Sequence, residues 1–229
     1  ILGNKKTSYA VRFIDQDTKE TIYETNITNN SWARCNRRYF TNWRIEITDL
    51  KTRKMYFHLF DAADRDVYIS IDSSSLGDSI AWFAHLEEFQ QRHNCRLYVS
   101  TFNNSLFESV YPNIRFVQPG TPLHNLYAKY SVGWFYEEDG RPNLMMHPRD
   151  FRSIPMQSTT TDILGLPETC VAPRLAMPVS ESPIGDDYVC IAIHSTTQAK
   201  YWNNPTGWQE LVDYFGQNGL KVVLLSKEE

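Results

Sequence analysis

Two polar loops hold the residues best suited to chemistry. The first is His194-Ser-Thr-Thr-Gln-Ala-Lys-Tyr-Trp202, which follows the apolar run Tyr188–Ile193. It offers adjacent hydroxyls at Thr196 and Thr197, a cation at Lys200 and an aromatic ring at Trp202. That set suits a diphosphate carrying an organic group, such as a nucleotide sugar; an ordinary solvated loop is the competing reading. The second loop, Asp72-Ser-Ser-Ser-Leu-Gly-Asp78, follows the apolar run Val67–Ile71. Its serines and Gly77 allow close backbone approach at the start of a helix, where free N–H groups favour anions or polar groups. Asp78 suits a general base there, or simply an acid in a first helical turn. Asp64-Arg-Asp66 matches a metal–diphosphate pattern but precedes its strand, at the end where parallel sheets do not bind ligands, and reads as a solvated turn.

Both loops need a parallel sheet to position them, because ligands on such sheets sit beyond the carboxyl ends of the strands. From Asp66 onward the chain has the required pattern. Val67–Ile71 precedes a helical period over 79–91, and strands are expected at 96–100, 114–118 and 131–136, with a short helix at 123–129. Tyr188–Ile193 and Lys221–Leu225 flank another helical run. Pro173, Pro178 and Pro183 mark the intervening stretch as a linker. Ahead of this lie alternating runs at 8–14, 21–25, 43–48 and 54–60 joined by polar turns, the pattern of antiparallel hairpins.

The expected order is an all-β, barrel-like domain over 1–65, a Rossmann-like domain over 66–170, a linker over 171–187 and a second Rossmann-like domain from 188 to 229. With two strands the last is too short to cover both faces of a parallel sheet, so it is expected to be incomplete.

Composition narrows the function classes. The chain has 229 residues and a net charge of −4, which gives no general attraction to nucleic acid or anionic membrane. No apolar run approaches the ~20 residues of a membrane span. Cys35, Cys95, Cys170 and Cys190 are scattered, as for reduced thiols rather than a zinc site, and Cys190 is expected in the core. Aromatic residues make up 14%, which agrees with either a carbohydrate site or a β-rich core.

Ser74-Ser-Leu-Gly-Asp78 and His194–Trp202 resemble the two signature loops of the ADP-heptose-dependent heptosyltransferases. The aromatic β unit ahead of them resembles the N-terminal barrel of the TibC-type autotransporter heptosyltransferases. The resemblance implies a glycosyltransferase-B fold and a cytoplasmic bacterial enzyme that moves heptose from ADP-heptose to serine hydroxyls of an adhesin passenger domain. Carried over by motif, Asp78 corresponds to the catalytic base, Thr196 and Thr197 to diphosphate contacts, Lys200 to the phosphate-binding cation and Glu228 to a ribose-binding acid. Trp202 joins the donor-binding set, while Trp32, Arg37 and Arg38 are expected to dock the acceptor. The chemistry needs no metal at the diphosphate. The family's structural iron belongs to a cysteine cluster in the C-terminal half, and its homo-oligomer is a dodecamer. His194 and His85 are rival bases. A lipopolysaccharide core heptosyltransferase and a non-catalytic nucleotide-sugar or glycan-binding module are the alternative functions.

Overall fold

A computed structural model describes residue 1 and residues 7–177, 181–195 and 197–226. The chain forms two compact units, 1–177 and 178–229.

The first unit opens with β1 (Ser8–Asp15), β2 (Thr21–Thr28), β3 (Trp43–Asp49) and β4 (Met55–Leu59), an antiparallel sheet in the order β2-β1-β3-β4. The hairpin turns are built by aspartates. Asp49 Oδ1 accepts the N–H groups of Lys51 and Thr52, and Asp15 Oδ1 accepts that of Asp17, so each side chain replaces a missing backbone partner. Among the described residues β2 and β4 pair with no strand but β1 and β3, so the sheet is open rather than closed as a barrel would be.

Next come β5 (Asp66–Ile71), α1 (Leu76–Phe83), α2 (Leu86–His93), β6 (Arg96–Ser100), β7 (Arg115–Phe116), β8 (Ala128–Val132) and α3 (Met156–Leu164). Their strands make a parallel sheet in the order β7-β6-β5-β8. Val67, Ile69, Leu97, Val99 and Val132 are fully buried, which is why these strands read as nearly continuous apolar runs. Two expectations fail here. The helical period over 79–91 is broken at Ala84–His85 into α1 and α2, because the His85 ring turns inward, fully buried, with Nδ1 3.2 Å from Glu88 Oε2. The helix expected at 123–129 is absent, and its last residues begin β8 instead, so the strand expected at 131–136 starts at Ala128 and ends at Val132. Pairing with β5 buries Tyr130 and Val132, a tertiary gain that outweighs local propensity.

Phe40 ties the two sheets of this unit together. Its N–H donates to Ile163 O at 2.7 Å, and its ring meets Phe60, Phe89 and His93. Gly165 ends α3 at φ +63°, a conformation that L side chains rarely adopt, and a Cβ there would intrude on the Phe40 ring. The start of the expected linker is docked on this unit rather than free. Val171 exchanges two hydrogen bonds with the Gln157 amide, Arg174 binds Glu87 bidentately, and Ala176 N–H donates to Leu106 O.

The second unit contains β9 (Tyr188–Ile191), α4 (Gly207–Gln217) and β10 (Lys221–Leu224), with β9 and β10 parallel. Cys190, expected in a core, is exposed here, because nothing in a two-stranded sheet with one helix covers its face.

Candidate functional site

The carboxyl ends of β5, β6 and β8 lie side by side, since Ser70 pairs with both Ser100 and Ser131. The three loops leaving this edge are tied to one another. Asp72 N–H donates to Val132 O at 3.0 Å, closing the β5 loop onto the end of β8. Asn103, just past β6, donates from Nδ2 to Ser79 Oγ at 3.0 Å and so reaches the first turn of α1. Asn104 accepts the Thr101 N–H and donates to Val117 O, which fixes the β6 loop in turn.

Asp78 sits in the first turn of α1, half-buried. Ser75 is the N-cap, and its Oγ accepts the Asp78 N–H at 3.5 Å. Such a cap contributes about 1 kcal/mol to the helix. The Asp78 carboxylate is itself oriented: Ser73 Oγ donates to Oδ2 at 2.7 Å. This edge also exposes Asp72, Leu76 and Phe102, so it offers carboxylates and apolar surface. Sequence reasoning singled out Asp78 but missed Asn103, Asn104 and Phe102. The only available signal was a Thr-Phe-Asn-Asn run directly after an apolar strand.

Beyond β8 an aromatic tier supports the edge. Trp134 stacks on Phe151 at 5.8 Å, meets Trp82 edge-on at 5.6 Å and donates from Nε1 to Thr159 Oγ1 at 3.4 Å. His147, 1% exposed, accepts the Phe135 N–H on Nε2 at 3.1 Å, which leaves the ring proton on Nδ1. Burial pushes this imidazole down to about 4, so it is neutral at pH 7.

In the second unit the expected donor loop forms a 3-10 turn over Gln198–Lys200, with Lys200 N–H donating to Thr197 O at 3.1 Å. Thr197, Lys200 and His194 are exposed. Trp202 is 45% exposed and packs edge-on against Trp208 at 5.1 Å, over the start of α4, where Gly207 leaves room for its ring. Asn204 Oδ1 caps this helix by accepting the Thr206 and Gly207 N–H groups. Thr196 and Glu228 lie outside the described residues. Asp78 thus belongs to the first unit, whereas Thr197, Lys200 and Trp202 belong to the second.

The remaining sequence candidates separate by burial. Trp32 is 75% exposed in a groove that Ile22, Tyr23, Leu144 and Met145 also line, whereas Arg38 is exposed beside a separate pocket lined by Trp43, His58 and Tyr127. Arg37 is committed within the fold, 3.4 Å from Asp15 Oδ2 and 5.1 Å over the Tyr39 ring. His85 is buried, so it has no route to a solvent-borne acceptor. Asp66 is bound by Arg96 at 2.6 Å at the amino end of β5, and that guanidinium holds its carboxyl below the usual range. Among the described residues no three His, Cys, Asp or Glu side chains converge as a metal site requires. The residues described therefore do not fit a resident iron.

No family model matches the chain. Individual relatives do. The autotransporter heptosyltransferase BAHTCr of Citrobacter rodentium is 34% identical over 95% of this chain and 53% of its own length. A crystal structure of the iron-containing dodecameric glycosyltransferase TibC from enterotoxigenic E. coli superposes with a TM-score of 0.87 at 30% identity, covering 98% of this chain and 58% of TibC. A further TibC structure, in complex with ADP-D-beta-D-heptose, matches with a TM-score of 0.83. An inactive autotransporter heptosyltransferase, BimC of Burkholderia thailandensis, is 28% identical over 94% of this chain and 50% of its own length. The chain therefore spans about half the length of the relatives it matches. In sequence and in fold it is related to the autotransporter heptosyltransferases.

Proposed function

We propose that this chain belongs to a protein O-heptosyltransferase that moves heptose from ADP-heptose to serine hydroxyls of an autotransporter adhesin in the bacterial cytoplasm. The observation that carries the reading is the placement of Asp78. It stands at the carboxyl end of a parallel sheet, in a first helical turn, with its carboxylate oriented by Ser73. Asp78 takes the proton from the acceptor serine as its oxygen attacks the anomeric carbon, and ADP leaves in the same displacement, with inversion. Lys200 and the hydroxyls of Thr196 and Thr197 neutralise the leaving diphosphate without a metal ion, Trp202 flanks the donor, and Glu228 binds its ribose. Asp72 and Asp78 give the acceptor-side edge two carboxylates. In this reading the two units are the halves of a glycosyltransferase-B fold, the β sheet ahead of them docks the adhesin, and the protein assembles as a homo-oligomer. That TibC is dodecameric and binds ADP-heptose supports both the donor and the assembly. TibC also contains iron, which this mechanism does not use.

One observation favours a second reading. BimC, 28% identical over 94% of this chain, is inactive, so similarity over this stretch does not by itself bring the activity. A module that binds nucleotide sugar but does not transfer it is the resulting alternative. Asp78→Asn separates the two: it keeps the side-chain shape and removes the proton acceptor. Heptose transfer to a co-expressed adhesin should fall about 10²–10⁴-fold while ADP-heptose binding persists. Unchanged turnover would remove Asp78 as the base and move the role to His194.

A further inference from the structure

We infer that Ser73 is a positioning residue for Asp78, an inference that rests on Asp78 being the base. The hydrogen-bond pattern gives the Ser73 hydroxyl one orientation. Its oxygen accepts the Ser75 N–H at 3.1 Å, so its proton is directed to Asp78 Oδ2, at 2.7 Å. Asp78 Oδ1 has no hydrogen-bond partner among the described residues. A carboxylate pinned through one oxygen presents the other in a fixed direction, which is what a general base needs to meet an acceptor hydroxyl within ~3 Å.

The anchoring extends beyond the pair. The Asp72 N–H bond to Val132 O holds the loop before Ser73 against β8, and the Asn103 bond to Ser79 Oγ holds α1 against the β6 loop. Ser73 therefore connects the carboxylate to a frame built from three strands. Without the hydroxyl, Asp78 keeps its N-cap and its place in the helix but is free to rotate about its side-chain bonds. The direction of the effect is diagnostic. Ser73→Ala leaves the Asp78 carboxylate and its helix in place and removes the tether on Oδ2. A fall in rate would thus report lost orientation.

The test compares wild type, Ser73→Ala, Ser73→Thr and Asp78→Asn, with kcat and KM for an adhesin fragment and calorimetric affinity for ADP-heptose. Ser73→Ala should lower kcat about ten- to a hundredfold with ADP-heptose affinity unchanged, and Ser73→Thr, which keeps the hydroxyl, should recover most of the rate. Equal losses in Ser73→Ala and Ser73→Thr, or a wild-type rate in Ser73→Ala beside an inactive Asp78→Asn, would overturn the positioning role and leave the base in place. A fully active Asp78→Asn would overturn the base itself.

Discussion

His147 gives a pH dependence that can be worked out from its surroundings. Its ring is 1% exposed and accepts the Phe135 N–H, and burial moves it from 6.5 to about 4. The unfolded chain therefore takes up this proton first as pH falls. The stability contributed by the neutral ring is complete above pH 6.5, declines as pH drops, and stops declining near pH 4. The slope is at most about 1.4 kcal/mol per pH unit, and the loss between pH 7 and pH 5 is about 2 kcal/mol. His93, whose imidazole burial also holds below its usual range, adds a smaller loss of the same sign. The measurement is urea unfolding from pH 5 to 7 for wild type and His147→Gln. The Gln carbonyl can accept the same Phe135 N–H but cannot titrate, so the variant should lose about 2 kcal/mol less over that range. Parallel stability curves for the two proteins would show that His147 becomes protonated without penalty, and the burial argument would be wrong.

Lys200→Ala should weaken ADP-heptose binding as well as turnover, because its charge would act on ground and transition states alike; unchanged calorimetric affinity would place Lys200 away from the diphosphate. Chelation with EDTA should leave transfer intact, and a loss restored by Mg²⁺ or Mn²⁺ would return attention to Asp64-Arg-Asp66. Trp32→Ala and Arg38→Ala, both at exposed positions, should lower transfer to the adhesin while leaving donor affinity and stability unchanged, whereas Arg37→Ala should cost stability through its lost contacts with Asp15 and Tyr39. Equal losses of transfer and of slow donor hydrolysis in the first two variants would assign that surface to the fold or the assembly instead.

Periodicity located most of the elements. The alternating runs from Ser8 to Phe60 are strands with partly solvated faces, and the apolar runs at 67–71 and 96–100 are the buried middle of a parallel sheet. The place of Asp78 in a first helical turn was legible from the serine-rich, glycine-containing loop after an apolar strand, a pattern that fits a helix-start acid as well as a base, and the resemblance of the two loops to the heptosyltransferases was readable from local motifs. Tertiary structure decided the rest. Whether 84–85 continues a helix depends on the His85 ring turning into the core, which no helical period encodes. Whether 128–132 is strand depends on β5 having a free edge 61 residues away in sequence, to which it pairs. Local alternation marks strands equally well in an open sheet and in a closed barrel, because closure is a matter of which edges meet. Arg37 and Arg38 are identical neighbours in sequence, yet only Arg37 lies within reach of Asp15. The orientation of the Asp78 carboxylate was likewise beyond the sequence, since it depends on one hydroxyl, five residues earlier, being held by a backbone N–H so that its proton has a single place to go.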